Sequence, residues 1–144
     1  MTYGPVHILN GPNLNMLGLR EPAIYGHTTL ADIEARCRAA AQGPLEFRQS
    51  NHEGEIVGMI HAARDEADGI IINPAGYSFT SVAIMDALKI FDGPVIELHI
   101  SNIHARDPIY HKSLMSPVVT AVIAGLSAGG YVTALQAMYD LLAA

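Results

Sequence analysis

Residues 69–74 read GIIINP. Three consecutive isoleucines stand between a glycine and an Asn-Pro stop, too short a run for a helix and apolar on every side. A strand covered on both faces reads this way, because neither face meets water. Working outward, comparable runs occupy residues 6–9 before Gly11-Pro12, 95–98 after Gly93-Pro94, and 118–124, and residues 45–49 after Gly43-Pro44 read as a short further strand. The Gly-Pro pairs punctuate the chain. Between these runs the apolar spacing becomes helical. Thr28 or Thr29 can cap a helix through about Gln42 with Leu30, Ile33 and Cys37 on one face. Glu53 begins another, whose stripe is Ile56, Val57, Ile60 and Ala63. Further helices are expected over residues 80–91 and 129–142.

Strands alternating with helices give an α/β fold with a parallel sheet covered on both faces. Five strands suggest a flavodoxin-like, three-layer arrangement with sheet order 2-1-3-4-5. Its site would lie at the carboxyl edge, where strands one and three diverge. At 144 residues the chain is expected to form a single domain over 1–144. Half of the residues are hydrophobic and only 15% are charged, a composition that excludes disorder and favours a tightly packed or oligomeric globule. The formal charge of −6 provides no basic stripe for nucleic acid. No apolar run reaches the roughly 18 residues of a membrane span, and no basic start precedes an apolar signal core, so a cytoplasmic location is expected. The one cysteine, Cys37, excludes an internal disulfide and reads as buried filler on its helix.

The chemistry concentrates at the carboxyl ends of the strands. Residues 6–26, VHILNGPNLNMLGLREPAIYG, run from a strand into a turn-rich loop carrying Asn10, Asn13, Asn15, Arg20, Glu21 and Tyr25. A cation beside a phenol stabilises the phenolate, so Arg20 could make Tyr25 a usable base. Gly18 and Gly26 would let the segment move as a lid. Glu97 and His99 are two residues apart, which in extended backbone puts both side chains on one face. A carboxylate there orients the imidazole and favours its protonated form, as a general acid needs. Asn73, Ser101 and Arg106 join them on the assumed topology. The set suits proton abstraction beside a carbonyl with protonation of a leaving group.

Other chemistries have weaker support. Glu97, His99, His104 and His111 match no helical zinc spacing. GPNLN is neither a P-loop nor a GxGxxG motif, so phosphate binding there is a minor reading. Lys89 and Lys112 do not look desolvated enough for Schiff-base work. Ser78, Thr80 and Ser81 most simply cap the helix that follows them.

Taken together, ILNGPNLNMLGLREPAIYG, RQSNHEGEI, INPAGYSFTSVAI and IELHISNIHARDP closely resemble type II 3-dehydroquinate dehydratases, in order and over nearly the whole chain. The resemblance implies a flavodoxin-like subunit, trimers assembled into a dodecamer, and no cofactor or metal. It also implies loss of water from 3-dehydroquinate, a small-molecule substrate, through an enolate. Tyr25 would be the base, kept anionic by Arg20. Asn13 would hold a water against the enolate, and His99, oriented by Glu97, would protonate the departing hydroxyl. Asn73, Ser101 and the amide of Ile100 would grip the carboxylate, while Arg106 would shape the site. Asp86 stands where a neighbouring subunit lends a carboxylate. Two positions depart from the pattern: Phe79 replaces a histidine, and Tyr110 replaces an arginine. Both would face the ring hydroxyls farthest from the carboxylate. The departures leave two alternatives. One is a paralogue performing the same elimination on a related cyclic keto acid, and the other is a non-enzymatic carboxylate-binding assembly protein.

Overall fold

The computed structural model describes residues 3–19 and 21–144, with the side chains of Ile24 and Tyr25 left out. The chain forms a five-stranded parallel sheet: β1 (Val6–Asn10), β2 (Leu45–Gln49), β3 (Gly69–Asn73), β4 (Val95–His99) and β5 (Ala121–Ala124). Their spatial order is β2-β1-β3-β4-β5, as expected. A one-turn helix α1 (Pro22–Tyr25) precedes α2 (Leu30–Ala40), α3 (Glu53–Glu66), α4 (Val82–Ile90) and α5 (Gly130–Ala143).

Two apolar layers hold the sheet. On one face Val6, Ile8, Ile71, Ile96 and Leu98 pack against Ile33 and Cys37 of α2 and Leu135 and Met138 of α5. On the other, Leu9, Ile70, Ile72 and Val95 meet Ile56, Ile60 and Ala63 of α3 and Ile84 and Leu88 of α4. The three central strands are buried at every position, whereas β2 and β5 at the edges are only partly covered. Covering both faces is what lets three isoleucines stand in a row. Burial pushes the Cys37 thiol up to about 11, in keeping with inert filler.

Element ends follow their caps. Thr29 and Asp32 form a reciprocal capping box that starts α2 at Leu30. Ser81 accepts from the Ile84 amide at 3.0 Å, so α4 starts at Val82 rather than near Thr80. The fifth strand begins at Ala121, not at 118. Pro117 sits in a short turn, Ser116–Val118, which interrupts the apolar run before the sheet is reached.

The first and third strands are fastened at their carboxyl ends by a buried polar knot. Asn10 and Asn73 are register partners. The Tyr131 hydroxyl, on α5, donates to Asn10 Oδ1 at 2.6 Å and accepts from Asn73 Nδ2 at 3.1 Å. Asn10 Nδ2 donates in turn to the Arg48 carbonyl of β2 at 3.0 Å. Asn10 therefore serves the scaffold and is fully buried, rather than standing at the rim as a ligand group. Gly11 is forced by a close approach: a Cβ there would lie 2.4 Å from the Pro74 carbonyl oxygen. That glycine packs the loop after β1 against the loop after β3.

Tyr131→Phe strips a partner from two buried asparagines, each loss costing about 1–3 kcal/mol. We expect a loss of stability of roughly 2–4 kcal/mol in urea denaturation; an unchanged midpoint would mean that the knot carries no net stability.

Candidate functional site

A cavity of about 150 Å³ opens where the strand order reverses. Three loops line it. Pro12, Asn13, Leu14 and Leu17 follow β1; Asn73, Ala75, Gly76 and Phe79 close β3; His99, Ile100, Ser101, Ile103, Arg106 and Tyr110 follow β4. Asn13 and Ala75 adopt left-handed backbone at φ 70° and 52°. Such conformations cost about 1–2 kcal/mol for residues other than glycine and tend to collect at working sites. At Ala75 the turn is braced by its own amide, which donates to Asn73 Oδ1 at 3.1 Å.

His99 lines the cavity wall, with Glu97 buried behind it. Their shared strand face brings His99 Nε2 against Glu97 Oε2 in a short hydrogen bond, with Glu97 fully buried and His99 nearly so. Ser116 donates to the other oxygen, Oε1, at 2.7 Å, and Ser113 supplies a further hydrogen bond. Burial alone would push the Glu97 carboxyl up. The hydrogen bonds from His99, Ser113 and Ser116, with the imidazole charge, outweigh it and hold the group below its ordinary value. An ionised Glu97 fixes the imidazole with Nε2–H toward the carboxylate, leaving Nδ1 for a ligand.

The far side of the cavity is aromatic. Phe79 stacks beside the His99 ring at 6.3 Å between centroids, inclined by 26°, and meets Tyr110 edge-on at 5.4 Å. The Arg106 guanidinium lies 4.0 Å above the Tyr110 ring and 4.0 Å from the Glu21 carboxylate. Asp86 is on the exposed face of α4, paired with Lys89 at 3.6 Å, and takes no part in the cavity of this chain. Arg20 and the side chain of Tyr25 lie outside the described residues. Among those described, no three His, Cys, Asp or Glu side chains are grouped to hold a metal ion, and no helix is long and apolar enough to cross a membrane.

The family model for class II dehydroquinases matches residues 4–139. The chain belongs to that family. It is 56% identical to a 3-dehydroquinate dehydratase of Chelativorans sp., over 92% of this chain and 94% of that protein. A Streptomyces coelicolor 3-dehydroquinate dehydratase is also 56% identical, across all of this chain and 94% of its own length. Among solved structures, a type II dehydroquinase from Propionibacterium acnes superposes with a TM-score of 0.92 at 43% identity, covering 96% of this chain and 97% of that one.

Within this dehydroquinase chain, three residues escaped the reading of the sequence. Ser113 and Ser116 sit in what reads as a plain polar connection, and Tyr131 sits in an apolar helix. The available signals were chemical. A buried carboxylate must find donors, and a tyrosine among aliphatic residues must place its hydroxyl.

The depressed Glu97 carboxyl contributes stability above its unfolded value, and that contribution is lost as the pH falls through the folded one. Below about pH 4.5 the native protein should therefore lose stability more steeply than a Glu97→Gln variant. Parallel acid limbs in urea titrations would show that Glu97 is not held ionised.

Proposed function

We propose that the protein removes water from 3-dehydroquinate to give 3-dehydroshikimate. The observation that carries this reading is the buried Glu97–His99 pair at the wall of a switch-point cavity, in a chain of this family. In the proposed reaction Tyr25, kept anionic by Arg20, takes the proton from C2. Charge collects on the ketone oxygen as an enolate, which a water held by Asn13 stabilises. The enolate collapses, the C1 hydroxyl leaves, and His99 supplies the proton that makes it water. The Tyr25 proton then returns to solvent and His99 is reprotonated, so one water is lost and nothing is oxidised or reduced.

Asn73, Ser101 and the Ile100 amide are proposed to hold the carboxylate, since all three line the cavity beside His99. Phe79, Tyr110 and Arg106 would form the opposite pole. Chemistry of this kind calls for no metal or organic cofactor, because proton transfers at a carbon beside a ketone need only a base, an acid and an oxyanion partner. We further propose a single catalytic domain over 1–144, cytoplasmic and assembled as a dodecamer built from trimers. The exposed Asp86, distant from its own cavity, fits a carboxylate lent to a neighbour.

A second reading is favoured by one observation. Phe79 offers no hydrogen bond where the ring hydroxyls would lie, so a related cyclic keto acid with fewer distal hydroxyls is the alternative substrate.

The deciding experiment follows the conjugated enone of the product by ultraviolet absorbance after adding 3-dehydroquinate. Turnover supports the first reading; its absence in a folded protein moves the proposal to the second. Removing the base in Tyr25→Phe, or the acid in His99→Ala, should each lower kcat by about 100- to 10,000-fold. A normal rate in either would remove that residue from its role. Phe79→His should raise kcat/KM on 3-dehydroquinate by restoring a polar partner, and no gain would mean that the pole has compensated elsewhere.

A further inference from the structure

Tyr110 and His111 both act on Arg106. The Tyr110 ring lies under its guanidinium at 4.0 Å, and His111 Nε2 donates to its carbonyl at 2.6 Å. Two consecutive residues thus fix the head and the backbone of one arginine. Their own placement comes from a short turn, Pro108–Tyr110, started by a proline and closed by the Tyr110 amide donating to the Asp107 carbonyl at 2.9 Å. Phe79 buttresses Tyr110 from the cavity side, edge against face. The guanidinium so held is largely buried and reaches Glu21, at the start of the segment that carries Tyr25. Gly18 and Gly26 on either side of that segment have φ of 89° and 76°, conformations that turn the chain sharply without steric cost.

We propose that Tyr110 is a positioning residue: its ring holds Arg106 where it pairs with Glu21 and so fastens residues 21–26 against the loop after β4. An arginine flanked only by water would spread over many rotamers, and pairing with an exposed carboxylate would then contribute little. A planar cation lying on an aromatic face is already oriented, so the bridge forms with less loss of freedom. In this account the aromatic residue is more than an omitted polar contact. It trades direct recognition of a ligand hydroxyl for a preset latch on the segment bearing the proposed base. The fastening itself does not depend on the dehydratase reading; its effect on turnover does.

The test is hydrogen exchange of residues 21–28 in the intact, ligand-free protein, followed by mass spectrometry. Tyr110→Leu and Glu21→Gln should each accelerate exchange there, and the double variant should be no faster than the faster single one. Tyr110→Phe keeps the ring and should match the native protein. Arg106→Lys keeps the charge but loses the flat face, and should accelerate exchange as Tyr110→Leu does. Exchange in Tyr110→Phe as fast as in Tyr110→Leu, or additive effects in the double variant, would overturn the proposal. With 3-dehydroquinate as substrate, Tyr110→Leu should lower kcat/KM by about five- to thirtyfold, the factor carried by a partly desolvated cation–π contact. A native protein that shows the exchange pattern but no turnover would leave the latch standing and remove the dehydratase reading instead.

Discussion

Everything at the working end of this molecule rests on one hydroxyl. Tyr131 bonds at once to Asn10 and Asn73, the last residues of β1 and β3. These are the strands between which the order of the sheet reverses. At such a point the two following loops leave in different directions, and nothing in the strand ladder holds them apart at a set distance. A buried hydrogen-bonded group does, because breaking it strands polar atoms away from water. Burial pushes the Tyr131 phenol far above its usual range, against the opposing hydrogen bond from Asn73, so it works as a neutral donor and acceptor.

The site straddles the sheet. Glu97 and His99 alternate with Ile96 and Leu98, so they project toward the side of α3 and α4, while Asn10 and Asn73 project toward α5. The cavity forms at the edge where both sets can reach it. Serine hydroxyls from the connection after β4 come up beneath Glu97 and let a carboxylate stay ionised inside an apolar layer. Without those donors burial would dominate and the pairing with His99 would lose its ionic character.

Much of the architecture was legible because the dominant physics is local. Continuous apolar runs of four or five residues marked the buried strands, and Gly-Pro pairs marked their limits. The start of the fifth strand was not legible. Pro117 and Ser116 lie within an apolar stretch, and only the tie from Ser116 to Glu97, 19 residues away, shows why the chain stays in a turn there. The role of Asn10 was misjudged for a similar reason. Its partner Tyr131 is 121 residues away, and a rim asparagine and a buried one look alike in sequence. That Glu97 and His99 share a strand face and meet was readable from their two-residue spacing. The cluster of Tyr110, Arg106 and Glu21 was not, since it joins two loops through ring geometry.

The alternation in β4 also constrains how this protein can vary over time. A strand with period two is a ruler: one residue inserted or deleted between Ile96 and His99 would turn the imidazole to the opposite side of the sheet. Substitution can tune that strand, but a change in its length cannot be absorbed there. The stretch between His99 and Ala121 is built of short turns joined by irregular chain and carries no strand register, so changes of length away from Arg106, Tyr110, Ser113 and Ser116 would not reverse a side chain across the sheet. Divergence at the site should accordingly be written in the loops around it, Phe79 and Tyr110 included, while His99 and Glu97 remain fixed in phase.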